Sequence, residues 1–269
     1  MIVNTNILSL NAHRNMGSNT MQLSKASEKL SSGLRVNRAA DDAAGLAVSE
    51  TMRSQIKGLN QANRNVQDGI SFAQTAEGAL DEVSNMLTRT KELLIQAATG
   101  TYGSGDRANI NAELQALGLE INNIISSTKF NGIGITLGAT VATGHDGALA
   151  ITIPAITTGQ LNELGLTGIT VGDNLGSAAK AKVSVLEKTI ADISTQRAKV
   201  GAVQNRLEHT LENQKITSEN ITSSESRIRD TDMAQEMMNF TKFNVLNQAA
   251  QSMMAQANQI PNQALGLLG

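Results

Sequence analysis

The sequence predicts a mainly α-helical protein: a long antiparallel helical rod or coiled-coil bundle with a small β-hairpin-rich region, whose terminal helices pair as an α-helical coiled coil. Apolar residues recur at helical spacing over most of the 269 residues. Aromatic residues make up only 2% of the chain, so Leu, Ile, Val, Ala and Met must fill the core. Glycines and short alternating runs are concentrated in one segment, residues 131–176.

The N-terminal segment, residues 1–42, is predicted to contain a weakly amphipathic helix. Its apolar stripe includes Leu23, Leu30 and Leu34, and its first 38 residues carry five basic side chains against one acidic side chain. A helix of this kind needs packing against other helices to be stable in water. We therefore expect this segment to become ordered on assembly.

The first strong helix is predicted over residues 43–98, where apolar side chains recur in steps of three and four. At ~1.5 Å per residue it would be roughly 80 Å long. Glycines within residues 99–105 end this helix, and Asp106 is the expected N-cap of a second helix. Because the connection is short, the second helix should pack antiparallel to the first.

Residues 131–176 differ in composition from the rest of the chain. They contain ten of the 23 glycines, and alternating runs at 133–137, 149–153 and 169–171 predict small strands joined by turns. Helical periodicity resumes near Ser177 and predicts a third long helix to about Ser226, beside the first. Residues 43–228 are therefore expected to form a helical rod domain that includes this β region.

The C-terminal segment, residues 229–269, is the most informative part of the chain. Residues 233–269 contain only two charged side chains, Glu236 and Lys242, whereas an ordinary surface helix carries charges on its outer face. Such a helix suits burial in an assembly, and alone it would be an association-prone patch. Pro261 is expected to end it. Its apolar stripe includes Phe243, Leu246, Met253 and Ile260.

Composition and motifs argue against several functional classes. The net charge of −2 gives no reason to expect nucleic acid or a membrane as a partner. The chain has no cysteine, and His13, His145 and His209 are too scattered for a metal site. No serine lies in a G-x-S-x-G motif. We predict a protein that is not an enzyme, with no catalytic, cofactor-binding or metal-binding residue.

The sequence also bears on location. No stretch approaches the roughly 20 apolar residues that cross a bilayer, and the N-terminus lacks the features of a Sec signal peptide. Taken alone, these observations indicate a cytoplasmic protein.

Several segments together carry a family resemblance. They are LSSGLRVN at 30–37, AADDAAG at 39–45, IKGL at 56–59, QANRN at 61–65, DGIS at 68–71, QTAEGAL at 74–80, FNG at 130–132, IRDTDMA at 228–234 and QSMMAQANQ at 251–259. They lie in family order across roughly residues 1–135 and 180–269. They resemble the two ends of bacterial flagellin, in a short form that lacks large outer domains.

The resemblance implies a structural subunit that polymerises with copies of itself into the flagellar filament for swimming motility. Residues 1–42 and 229–269 would form the inner core domain of the filament and be disordered in the monomer. The resemblance also implies type III export without a cleaved signal peptide and an extracellular location, which reverses the cytoplasmic inference. Expected partners are the flagellar cap and hook-junction proteins, and an export chaperone that shields the methionine-rich C-terminal helix.

Two sets of residues are predicted to contact other molecules. The self-assembly set is Leu23, Leu30, Leu34, Arg35, Arg38, Asp41, Asp42, Phe243, Leu246, Met253 and Ile260. For its charged members the alternative is an exposed loop in which Asp41 or Asp42 caps the next helix. The resemblance also implies contact with a host Toll-like receptor at Arg89, Leu93 and Glu113. Lys91 stands where many members carry arginine, and lysine is not equivalent at a bidentate contact.

Two alternative functions remain open from the sequence. One is a hook–filament junction protein of the flagellum, a class made in few copies. The other is a cytoplasmic signalling coiled coil. The long helical seams fit this second class, but the missing transmembrane segments and the uncharged C-terminal helix argue against it.

Overall fold

The structure, a computed structural model, describes the backbone of residues 6–156 and 175–266 and the side chains of residues 6–156 and 182–259. The described residues form five long helices: α1 (Ile7–Ser32), α2 (Ala43–Ala98), α3 (Ser104–Ser127), α4 (Leu175–Arg229) and α5 (Met233–Gly266). Between α3 and α4 lie two antiparallel hairpins and a 3-10 helix (Ile135–Leu137). The hairpins pair β1 (Lys129–Phe130) with β2 (Ile133–Gly134), and β3 (Ala139–Ala142) with β4 (Ala150–Ile153). The predicted fold class is confirmed.

The chain divides into two compact units. One comprises Met1–Ser54 and Glu219–Gly269 and contains the antiparallel pair of α1 and α5. The other comprises Gln55–Ser218 and contains α3, the hairpins and most of α2 and α4.

The unit Gln55–Ser218 has a continuous apolar core. Its helices contribute fully buried leucines, and the β region adds isoleucines that cover the same core. Lys91 Nζ lies 2.8 Å from Glu187 Oε1, and Arg197 Nη1 lies 2.9 Å from Asp81 Oδ1, so α4 runs antiparallel to α2 as predicted. The largest fully buried side chains of this unit are Leu80, Leu87, Leu93, Leu114, Ile121, Ile135, Ile153, Leu186, Ile193 and Leu207.

The second hairpin packs closely on α2 because α2 presents glycine there. A Cβ built at Gly69 would lie 2.6 Å from Cγ2 of Val141 on β3. Gln214 of α4 is buried, and its Nε2 donates to the carbonyl of Thr143, which follows β3. These contacts attach the hairpin to both long helices.

Two predictions about this unit were wrong in detail. Residues 133–137 do not form one strand, because Asn131 (φ 49°) and Gly132 (φ 81°) make a tight turn that pairs β1 with β2, and the chain then enters the 3-10 helix. Asp106 is not the N-cap of α3: the helix begins at Ser104, and the Asp106 carboxylate accepts from the backbone N–H of Gly103 at 3.3 Å. The predicted strand at 169–171 lies outside the described residues.

The expected end of the last helix was also wrong, because α5 continues past Pro261 to Gly266. Proline has no N–H to donate to the carbonyl four residues earlier. That carbonyl, on Ala257, instead accepts a hydrogen bond from Nδ2 of Asn6 at 2.7 Å. A side chain from the other end of the sequence thus satisfies the group that proline leaves free.

Candidate self-assembly surface

The antiparallel pair of α1 and α5 is joined by backbone hydrogen bonds at one end. Helix α1 ends at Ser32, and the φ of its C-cap Gly33, 72°, lies in the left-handed region that favours glycine. Beyond it, the N–H of Arg35 donates to the carbonyl of Arg229 at 2.6 Å, and the N–H of Thr231 donates to the carbonyl of Gly33 at 3.0 Å. These bonds hold the start of α5 against the end of α1.

Side chains join the pair along the rest of its length. Nδ2 of Asn247 donates to Oγ1 of Thr20 at 3.3 Å. Close to the start of α1, the hydroxyl of Ser9 donates to Oδ1 of Asn258 at 2.9 Å. All of these contacts keep one antiparallel register.

The pair buries small side chains and leaves many large ones uncovered. Among the described residues of α1 and α5, the buried apolar side chains are Ala26 and Ala257. The exposed large apolar side chains of the pair are Ile7, Leu8, Leu10, Met21, Met233, Met237, Met238, Val245, Leu246 and Met253. An uncovered apolar surface of this extent marks an interaction site.

The predicted self-assembly residues fall into two groups within the pair. Four of them are half-buried: Leu23, Leu30, Leu34 and Phe243. Leu246 and Met253 are exposed, Met253 to 64%. The side chain of Ile260 lies outside the described residues. The first group can stabilise the pair itself, and the second group is available to another molecule.

The charged residues between α1 and α2 each have a partner within the chain. Nε of Arg38 lies 2.8 Å from Oε1 of Glu28, and Arg35 donates from Nη2 to the carbonyl of Ile228 at 2.5 Å. Asp42 is the cap of α2, since its Oδ1 accepts from the N–H of Gly45 at 2.8 Å. The local, helix-capping alternative therefore describes Asp42.

Asp41 organises the bend between α1 and α2. Its Oδ2 accepts backbone N–H bonds from Arg38 at 3.0 Å and from Asn37 at 3.2 Å. These two hydrogen bonds, first that of Arg38 and then that of Asn37, lower the pKa of Asp41 below its ordinary value because they favour the charged form.

One ion pair near this bend was not predicted from the sequence. Arg229 ends α4, its side chain is only 12% exposed, and its Nη1 lies 2.7 Å from Oε1 of Glu50 on α2. The motif at 228–234 contains Arg229, but its partner is 179 residues away and no sequence spacing indicates it.

The three residues predicted for receptor contact differ in their exposure. Arg89 donates from Nη2 to Oε1 of Glu113 at 2.9 Å, and both side chains are exposed. The carboxylate of Glu113 and then that of Glu92 raise the pKa of the Arg89 guanidinium. Leu93 is 1% exposed and packs in the core, so its side chain offers no surface to a partner. Any contact here rests on Arg89 and Glu113.

Helix α5 also carries a shallow apolar groove of about 540 Å³ on its exposed face. The groove is lined by Met237, Met238, Thr241, Lys242, Val245 and Leu246. Thioether side chains adapt to differently shaped partners, so this face can accept an apolar segment of another chain.

In the part of the chain that the structure describes, no group of three or more His, Asp and Glu side chains could hold a metal ion. None of its helices is both long and apolar enough to span a bilayer.

Two family models match most of the chain. The bacterial flagellin N-terminal helical region matches residues 3–140, and the bacterial flagellin C-terminal helical region matches residues 183–268. The chain is 49% identical over 280 residues to a flagellin of Halalkalibacterium halodurans and 44% identical over 305 residues to a flagellin of Bacillus subtilis. It is 43% identical over 285 residues to the flagellar filament 33 kDa core protein of Treponema phagedenis. Each of these alignments covers 100% of both proteins.

Solved structures of other proteins are similar to this one. The crystal structure of Bacillus cereus flagellin matches with a TM-score of 0.50 and 30% identity, covering 56% of this chain and 88% of that chain. A putative flagellar hook-associated protein from Vibrio parahaemolyticus matches with a TM-score of 0.58, covering 71% of this chain and 100% of that chain. At 13% identity the second likeness concerns the fold alone.

Proposed function

Because this chain belongs to the bacterial flagellin family, we propose that the pair of α1 and α5 is the segment that becomes ordered as the subunit joins the filament. The protein is a structural subunit of the flagellar filament, an extracellular appendage, and its role in motility follows. Its family is one of structural proteins rather than enzymes. Full-length matches to flagellins and filament core proteins favour this function over the hook–filament junction and signalling alternatives.

The observation that supports the proposal is the uncovered apolar surface of a nearly uncharged helix. Met253, Met238 and Val245 are 64%, 67% and 58% exposed in the single chain. The large side chains that α1 and α5 leave uncovered can be buried by the same helices of neighbouring subunits. Repeated head-to-tail contacts that do not close generate an open helical polymer.

Ordering and assembly would then be one process. A helix whose buried contacts are few has a low free energy of local unfolding, and neighbours that bind its folded form raise that free energy by mass action. We therefore expect residues 1–42 and 229–269 to be disordered in the free monomer and ordered in the filament.

Seeded growth tests this function. Purified monomer is added to sheared filament ends, and polymer mass and helix content are followed together by light scattering and circular dichroism. We expect helix content to rise in proportion to polymer mass. A variant that lacks residues 233–269 should stay soluble and fail to elongate. Growth without a gain in helicity, or elongation by the truncated variant, would refute the proposal.

The groove on α5 supports an export chaperone as a second partner. Covering this face before export would prevent premature polymerisation, and the chain would leave the cell by the flagellar type III route without a cleaved signal peptide. In the assembled appendage, the cap and hook-junction proteins would contact subunits at the filament ends. Replacing Met238 with Gln should weaken chaperone binding in calorimetry, whereas Met238→Leu should preserve it.

The exposed pair Arg89–Glu113 supports a role in recognition by a host Toll-like receptor. Lys91 is engaged by Glu187 at 2.8 Å and lacks the planar fork of arginine. We expect weak activation of receptor-bearing cells, increased by Lys91→Arg and removed by Arg89→Ala. Equal responses to all three proteins would contradict this role.

A further inference from the structure

Helix α5 contains a proline in its interior, and this residue cannot donate a backbone hydrogen bond. Pro261 lies inside the helix, five residues before its end at Gly266. Because proline lacks an N–H, the carbonyl of Ala257 loses its partner four residues ahead. Ala257 is only 7% exposed, and a shielded carbonyl without a partner destabilises the structure that contains it.

The N-cap of α1 supplies the missing donor. Asn6 precedes the first residue of α1, and its Oδ1 accepts from the N–H of Ser9 at 3.1 Å. Its Nδ2 donates to the carbonyl of Ala257 at 2.7 Å. An asparagine side chain has both an acceptor and a donor, so one residue caps α1 and completes α5.

Apolar burial specifies the register of the pair weakly. Its buried apolar side chains, among the described residues, are alanines, and apolar burial has no directional preference. The contact of Asn6 is directional, and its acceptor is the carbonyl that Pro261 leaves without a helical donor. Every other carbonyl in the interior of α5 can accept from its own helix.

We infer that Asn6 is a positioning residue that sets the register of α1 against α5 by pairing with the proline-generated gap at Ala257. The backbone bonds of Gly33 with Thr231 hold the opposite end of the same pair. The apolar side chains of α1 and α5 are thereby presented to neighbouring subunits in one fixed arrangement. This inference rests on the proposed role of the pair in assembly.

A double-mutant cycle tests the inference. Asn6→Asp keeps the acceptor that caps α1 but removes the donor, and Pro261→Ala gives Ala257 a helical N–H. In the natural background, Asn6→Asp should raise the critical concentration for seeded polymerisation roughly tenfold, which corresponds to about 1.4 kcal/mol. In the Pro261→Ala background the same change should alter the critical concentration by less than about twofold, because the carbonyl of Ala257 then accepts from the N–H of residue 261.

Register is read separately by disulfide trapping, since the chain has no cysteine of its own. Filaments carrying Thr20→Cys with Asn247→Cys report the observed register. Thr20→Cys with Gln251→Cys reports a slip of about one turn. With added oxidant, intrachain cross-links should form at position 247 in the natural background, and Asn6→Asp should shift part of them to position 251.

Equal penalties for Asn6→Asp in both backgrounds, or no penalty in either, would overturn the inference. If Asn6→Asp abolishes assembly altogether, recovery in the double variant still supports the inference and continued failure refutes it. The proposed function fails on a different result, growth of the unaltered protein without a gain in helicity.

Discussion

Met253 lies on α5 with 64% of its surface exposed in the single chain, and its replacement by Gln tests whether that surface is buried in the filament. Full burial of a methionine side chain stabilises by about 1.5–3 kcal/mol. The exposed share would then contribute about 1–2 kcal/mol when neighbouring subunits cover it. Because 1.4 kcal/mol is about a tenfold change in an equilibrium constant, we expect Met253→Gln to raise the critical concentration roughly 5- to 30-fold.

The assay measures the monomer concentration that remains in equilibrium with sheared, seeded filaments, by sedimentation. Met253→Leu is the matched control, since it keeps an apolar side chain of similar volume, and it should polymerise close to the unaltered protein. An unchanged critical concentration for Met253→Gln would refute the assignment of this face to subunit contacts. A deficit equal to that of Met253→Leu would do the same.

Two further predictions concern other parts of the chain. Gly69→Ala should lower the free energy of unfolding by about 1–3 kcal/mol, because the new Cβ would lie 2.6 Å from Val141. A Cβ at Gly78, on the same helix, would meet no atom within 4 Å. Gly78→Ala should therefore raise the free energy of unfolding by about 1 kcal/mol, and urea unfolding of both variants checks that the two changes have opposite signs. Because the pKa of Asp41 is lowered in the folded chain, the stability that its carboxylate gives to the bend is fully present above the ordinary pKa of 3.8. That stability is lost as the pH falls through the lowered pKa of the folded chain. Protection of the two amides that Asp41 binds should therefore decline at acidic pH in the filament, and Asp41→Asn should remove this pH dependence in amide-exchange measurements.

The long helices were predictable because their cause is local. The apolar spacing and the aspartates before residue 43 specify α2, and the structure gives it the predicted bounds, Ala43–Ala98. Helix α4 begins and ends within three residues of its predicted limits, Ser177 and Ser226. Repeated three- and four-residue spacing determines the type of an element more strongly than its ends.

The errors came from contacts that local patterns do not contain. The alternation of residues 133–137 is typical of a strand. After the left-handed turn at Asn131 and Gly132, however, only the first two of these residues pair with β1. Pro261 predicts a helix end, yet the helix continues. The carbonyl of Ala257 accepts from Asn6, which lies 251 residues before Ala257 in the sequence. The burial of Leu93 is likewise a property of packing.

The candidate site was predictable in its helices and not in its individual contacts. The scarcity of charge after residue 233 identified α5 as the association-prone helix, and the exposure of its methionines agrees with that interpretation. Asn6, Glu28 and Glu50 were missed because their partners lie on other segments of the chain. An asparagine just before a helix signals an N-cap, but no sequence feature reveals its second bond.

Hydrogen exchange of the backbone amides in α1 and α5, measured on the isolated monomer and on the filament, tests the central claim most directly. If neighbouring subunits complete the packing of these two helices, their amides exchange rapidly in the monomer and become strongly protected in the filament, while the amides of α3, and of α2 from residue 55 onward, are protected in both. Strong protection of both terminal helices in the isolated monomer would contradict it.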